Sequence, residues 1–189
     1  MGKERGQERV LNSRPTVRLG YEFFRRDVLE VAPALLGKRL VRRYDDGRTE
    51  TFLITETEAY RGEEDLACHA SRGKTPRTAT MYLPGGVLYI YLIYGMYWMM
   101  NIVTGKEEDP QAVLIRGIEG FDGPGKLTRR LGIDKSFNGE DLTTSPRIWL
   151  EDAGLTLPYT TTPRIGVDYA GETWKNMPWR YVAYLPDNQ

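Results

Sequence analysis

At 189 residues the chain is long enough to bury one proper core, and 40% hydrophobic with 28% charged residues is the balance of a globular domain, not of a disordered tract or a membrane bundle. A formal net charge of zero does not, taken whole, announce a nucleic-acid binder. One cysteine, Cys68, excludes an internal disulfide framework and suits a reducing compartment; with one histidine, His69, the usual Cys/His zinc sets cannot be assembled.

The charges are unevenly spread. No Asp or Glu falls between His69 and Lys106, where Arg72, Lys74 and Arg77 stand, and the first 43 residues are also basic. The acids collect at Glu63-Glu64-Asp65, Glu107-Glu108-Asp109 and Glu140-Asp141. A neutral chain can therefore still present a basic face, although charge alone fits an ordinary solvated surface somewhat better.

In chain order, residues 1–18 are polar, Arg-rich and unpatterned, and read as a flexible arm before a folded domain at 19–189. They contain no apolar core of a secretory signal. Phe24, Val28 and Val31 have helical spacing, which Pro33 interrupts or ends before a glycine stop at Gly37. Lys38–Tyr44 reads as a strand, Asp45-Asp46-Gly47 as a hairpin turn, and Thr49–Tyr60 as the return strand.

That return strand carries chemistry. Regular alternation puts Phe52, Ile54, Glu56, Glu58 and Tyr60 on one face, so an apolar face turns acidic and then aromatic. A carboxylate there is paired, exposed at the strand end, or functional. The residues themselves do not choose between Glu56 and Glu58. The connection over 61–86 is rich in Gly, Ser, Thr and Pro, with short helical turns expected around Glu63 to Ala70, and long loops of this kind tend to carry function.

Val87–Val103, VLYIYLIYGMYWMMNIV, is the most apolar and aromatic run. It is shorter than the roughly 20 residues a membrane helix needs. It also holds more tyrosines than a plain core strand would, since each buried hydroxyl needs a partner. It reads as a β-hairpin with Gly95 at the turn, presenting aromatic faces to a flat ligand, with Tyr97 and Trp98 as packing residues. Ala112–Ile118 reads as a buried strand whose Arg116 needs an acid or a ligand. Gly123-Pro124-Gly125-Lys126 opens a basic helix ending near Gly132, and its first amides could hold a phosphate. Ile148–Leu150 and Pro163–Val167 read as short strands, the latter containing Arg164. Residues from Glu172 onward read as an extended or irregular tail anchored by Trp174, Trp179 and Tyr181.

Five segments in fixed order, ITETEAYRGEEDLACHASRGKTPRTATMY, VLYIYLIYGMYWMMNIV, VLIRGIEG, GPGKLTRRLGIDKSFNGEDL and PRIGVDYAGE, resemble the alkyladenine (3-methyladenine-type) DNA glycosylases over about residues 20–171. The helix-hairpin-helix motif of the other 3-methyladenine glycosylases is absent. After Gly171 the chain reads ETWKNMPWRYV, where the family often has a Trp–Ala–Arg run before the proline. The resemblance implies an α+β single domain: a curved, mainly antiparallel sheet with flanking helices and a protruding hairpin, like a formyltransferase C-terminal domain.

The resemblance also assigns roles. Glu58 takes the family's general base, and Arg116 orders the carboxylate and its water. Tyr60, His69 and Tyr91 enclose a flipped-out base, Tyr89 lies near the floor, and Asn101 polices the purine 2-position. Tyr94 wedges into the duplex. Arg72, Lys74, Arg77, Lys126 and Arg164 are expected on the DNA backbone. The family works without metal or cofactor. The implied partner is double-stranded DNA with damaged purines, bound by a monomer, in a bacterial cytoplasm at the nucleoid or in a eukaryotic nucleus.

The chemistry follows. A base inside a duplex must be extruded, at a cost of a few kcal/mol. A cationic alkylpurine gains roughly 0.5–2 kcal/mol from electron-rich rings and is already a good leaving group, so one carboxylate suffices where ordinary glycosidases use two. No lysine stands in the matching motif as a Schiff-base nucleophile, so no strand cleavage is expected. Two other readings compete: a non-catalytic module stacking bases on the tyrosines, which leaves Glu58 idle, and a hydrolase or formyl-transfer enzyme acting on a free small molecule.

Overall fold

The computed structural model describes residues 15–185. Its strands are β1 (Val17–Arg18), β2 (Arg39–Arg43), β3 (Thr49–Arg61), β4 (Leu88–Ile93), β5 (Tyr97–Thr104), β6 (Gln111–Ile118), β7 (Phe121–Asp122), β8 (Ile148–Asp152), β9 (Tyr159–Thr162) and β10 (Arg180–Ala183). Every pairing is antiparallel and the sheet is open. Its main path runs β1-β8-β2-β3-β6-β5-β4, with β10 joined to β3 and β9, and β7 joined to β6. The helices are α1 (Tyr21–Phe24), α2 (Val28–Ala34), α3 (Pro124–Leu131) and α4 (Gly171–Lys175). This is the expected α+β class. Among the described residues no helix is long and apolar enough to cross a membrane.

Period-2 alternation in the hairpin sorts its side chains to two faces. Leu88, Ile90, Met100 and Ile102 enter the main core with Phe24, Val28, Val31, Ile115 and Leu127. Tyr89 and Val103 turn to a second cluster with Cys68, Ala70, Met81 and Ala112. Each fully buried Leu, Ile, Val or Phe contributes about 1.5–3 kcal/mol, so the main core fixes the sheet from which the second face is built.

Helix α3 begins at Pro124, which suits a first turn, and ends on Gly132 in the left-handed region (φ 64°). A Cβ at Gly125 would lie 2.8 Å from the Tyr97 ring, so only glycine lets the first turn of this helix sit against β5.

Several expectations are corrected. The region of helical spacing before Pro33 is two helices, because the Asp27 carboxylate accepts from the Leu29 amide and starts a new one. Pro33 lies inside α2. The ordered sheet begins before residue 19: Val17 and Arg18 pair with β8, and the Arg18 guanidinium donates to the carbonyls of Leu142 and Ser145. The rest of the proposed arm, up to residue 14, lies outside the described residues. Residues 163–167 are not a strand; Pro163 and Gly166 (φ 75°) break the chain there, and the strand is the preceding β9. The tail is regular, forming α4 and β10.

The face assignment in β3 also changes. Pairing with β6 is irregular on both sides of Glu56. Ile54 and Ala59 therefore both reach the core despite their odd spacing, and the Thr57 hydroxyl donates inward to the Ala32 carbonyl. Glu58 and Tyr60 face the other way, so Ile54 does not share their face. A bulge re-aims the strand where the acids begin.

Candidate active site

The second face of the sheet, the 61–86 connection and the segment after β9 enclose a groove of about 1230 Å³. That exceeds the roughly 300–1,000 Å³ of a small-molecule pocket, so it accommodates more than a free base. Tyr60, His69, Tyr89, Tyr91, Asn101 and Arg116 line it, with Tyr94 at its edge and Arg72, Arg77 and Lys126 around it.

Glu58 lies behind this wall and is 0% exposed. Its Oε2 accepts from the Tyr60 hydroxyl at 2.7 Å and its Oε1 from the Ile165 amide at 2.7 Å. Arg116 Nε stands 3.6 Å from Oε1 and 3.2 Å from Glu56. Burial raises the Glu58 pKa above the ordinary carboxylate value; Arg116, the Ile165 amide and the Tyr60 hydroxyl oppose it. A carboxyl held this way has its orientation fixed and its affinity for a proton raised. Glu56 is a structural partner, accepting from Arg116 and from Arg180 on β10.

The aromatic slot is built from adjoining elements. The His69 and Tyr91 ring centroids are 4.5 Å apart, and those of Tyr89 and Tyr91 are 5.4 Å apart. His69 Nδ1 meets the Tyr89 hydroxyl at 3.0 Å. Burial, then Arg77 and Arg72, lower the His69 pKa to about 4, so the ring is neutral at pH 7. Burial pushes the Tyr89 hydroxyl up to about 12. Asn101 is buried, and its amide donates to the Tyr89 carbonyl. Cys68 is buried and its thiol is pushed up to about 12, which makes it a small packing residue and a poor nucleophile.

At the hairpin tip Met96 N bonds Ile93 O at 3.1 Å, with both intervening residues at positive φ: Tyr94 at 53° and Gly95 at 66°. Tyr94 is 84% exposed. A large residue in the left-handed region costs about 1–2 kcal/mol, so the tip holds its ring outward under strain.

Two expected backbone contacts sit elsewhere. The Arg164 side chain is 0% exposed and paired with Asp65, so it does not reach a DNA backbone. Lys74 lies outside the groove lining and pairs with Glu108 at 2.6 Å. The Ile165 amide and Asp65 were not singled out from the sequence. A backbone donor leaves no residue-type signal, and Asp65 reads there as one acid in a surface run.

The groove thus sets a buried, pre-bonded carboxylate behind an aromatic slot, beside an exposed tyrosine. The family model described as "Methylpurine-DNA glycosylase (MPG)" matches residues 22–122 and 121–187. A Desulfitobacterium hafniense (strain Y51) protein named "Putative 3-methyladenine DNA glycosylase" is 44% identical, covering 91% of this chain and 97% of its own. A Rickettsia felis protein of the same name is 46% identical, covering 86% and 90%. The chain belongs to the methylpurine-DNA glycosylase family, a class of DNA-repair enzymes for alkylation damage.

Proposed function

We propose that this enzyme excises N-alkylated, deaminated and etheno purines from duplex DNA, the class of 3-methyladenine, 7-methylguanine, hypoxanthine and ethenoadenine. It hydrolyses the N-glycosidic bond with water activated by Glu58 and leaves an abasic site without cutting the strand. The observation that carries the reading is Glu58 itself: fully buried, fixed at both oxygens, raised in pKa and backed by Arg116.

In this reading Tyr94 fills the gap left by the extruded nucleotide, and its exposure and strained backbone support that role. The base enters between His69, Tyr91 and Tyr60. Neutral His69 adds no positive charge against a cationic alkylpurine. Glu58 takes a proton from water and its charge stabilises the oxocarbenium-like sugar, while Arg116 orders carboxylate and water. Asn101, held against the Tyr89 carbonyl, crowds a guanine 2-amino group. Arg72, Arg77 and Lys126, with Lys74 at the margin, meet phosphates. The enzyme works as a monomer, and the bacterial relatives support a workplace at chromosomal DNA in the cytoplasm.

The test is release of free base from duplexes carrying single lesions. Wild-type enzyme is expected to release it, and Glu58→Gln to bind the same duplex while losing at least ~100-fold in rate, the scale of general-base loss. Full activity in Glu58→Gln, or a covalent adduct trapped by borohydride, overturns the mechanism.

A further inference from the structure

Arg164 was expected on DNA, yet it is the most heavily engaged cation in the interior. Its Nη1 donates to Asp65 Oδ2 at 2.6 Å and to the Ala59 carbonyl at 2.9 Å. Its Nη2 donates to Asp65 Oδ1 at 2.9 Å and to the Trp174 carbonyl at 3.2 Å. The guanidinium lies between the Tyr60 and Trp179 rings, 4.8 and 5.1 Å from their centroids. Asp65 is equally committed, accepting from the amides of Arg61 and Ala67 at 3.0 Å each. One ion pair thus ties together β3, the 61–68 loop, the segment after β9 and helix α4.

A fully buried ion pair is a poor investment for stability alone, because desolvation offsets most of the attraction. What this one fixes lies one residue away. Ile165, next to Arg164, donates its amide to Glu58 Oε1 at 2.7 Å. The segment carrying that amide has no strand pairing to hold it, and Pro163 and Gly166 flank the Arg-Ile pair. Without the Arg164 anchor, nothing in the local backbone sets the amide's height above the carboxylate. Tyr60, which donates to the other oxygen, lies against the same guanidinium. Both donors that orient Glu58 are therefore indexed to Arg164.

We propose that the Arg164–Asp65 pair is a positioning device for the catalytic carboxylate, aiming Glu58 by holding the Ile165 amide and the Tyr60 ring. It rests on the reading of Glu58 as the base. A planar, bidentate fork is needed: lysine supplies the charge but cannot meet both Asp65 oxygens and two carbonyls in one plane. The Ile165 amide bonds the ionised form of Glu58, so loosening it favours the protonated form and moves the acid limb of the rate profile to higher pH.

The experiment is single-turnover release of hypoxanthine from a duplex with one lesion, across pH, for wild type, Glu58→Gln, Arg164→Lys and Asp65→Asn. Enzyme is counted by titrating lesion-duplex binding, so only folded molecules enter the rate. Arg164→Lys is expected to lose roughly ten- to hundredfold in rate, the scale of one hydrogen bond to a charged group, with duplex affinity within threefold. Its acid limb should shift upward, and an Arg164→Lys/Asp65→Asn double variant, made alongside, should lose little beyond the worse single one, as for groups acting as a unit. Asp65→Asn keeps the size of the buried group, so it reports on the device even if Arg164→Lys folds poorly. If Glu58→Gln is inactive while both other variants keep wild-type rate and profile, the positioning role is overturned. Loss of affinity in proportion to rate, with an unmoved acid limb, overturns it too. If Glu58→Gln is itself fully active, it is the reading of the base that fails.

Discussion

Tyr60 donates its hydroxyl to Glu58 Oε2 at 2.7 Å, from two residues along the same strand. Ordinary alternation puts the two on one face, and the irregular pairing around Glu56 turns that face to the groove side of the sheet. Tyr60 thus does more than line the groove; it is one of the two fixed donors to the carboxylate. Burial drives its own pKa well above the ordinary phenol value, with Glu58 adding to the effect, so the proton stays on the hydroxyl as a donor.

Tyr60→Phe keeps the ring and removes that donor. Glu58 then loses a bond to its charged form, and its already raised pKa rises further. Excision at pH 6 is expected to fall by about tenfold, with the loss shrinking as pH rises, because the plateau chemistry still has Arg116 and the Ile165 amide. A pH–rate profile checks this. A uniform loss at every pH would mean that the ring position, not the hydroxyl, had been disturbed.

His69 is the chain's sole histidine, so its imidazole proton resonance is unambiguous. It is expected to titrate at about 4 in the folded protein, against 6.5 for a free imidazole. The sign follows from burial, which disfavours the cation. Because the folded value is depressed, the group contributes stability that is present above 6.5 and is lost as pH falls toward about 4. His69→Gln should flatten that part of the stability curve. A resonance titrating near the free value would refute the buried, neutral ring.

Tyr94→Gly separates stability from function. Glycine adopts the left-handed region freely, and the tyrosine ring is 84% exposed, so little burial is lost. Chemical denaturation is expected to show a gain of ~1 kcal/mol in the free protein. Lesion excision is expected to fall in the same variant, since the group proposed to refill the duplex is gone. A variant that is both stabilised and fully active would remove Tyr94 from the mechanism.

The hairpin was legible in the sequence because alternation and a glycine turn are local signals, and β2, β3, β6 and α3 were legible for the same reason. What was not legible is long-range. Arg164 and Asp65 are 99 residues apart, and a lone arginine in sequence shows its charge, not its burial. The regular tail was hidden because β10 and α4 are defined by partners on β3 and by Arg164, not by their own patterning. Glu56 and Glu58 could not be told apart by alternation, which puts both on one face; the irregular pairing on both sides of Glu56 separates them and leaves no local signal.

That bulge depends on one small residue. Gly117 pairs with Glu56, and a Cβ there would stand 2.9 Å from Thr55 Oγ1 and 3.1 Å from Glu56 Cβ. Both neighbours belong to the facing strand; Glu56 Cβ cannot yield without moving backbone, and Thr55 Oγ1 yields only by turning a buried, β-branched side chain. Gly117→Ala is expected to cost about 1–3 kcal/mol of stability by overpacking. The larger effect should be on catalysis. Displacing Glu56 disturbs its hold on Arg116 at 3.2 Å, and Arg116 is the cation facing Glu58. Excision should therefore fall further than duplex affinity, as measured by single-turnover rates beside a binding titration. If alanine lowers the melting temperature and leaves the excision rate of the folded enzyme unchanged, the bulge shapes the sheet but does not aim the site.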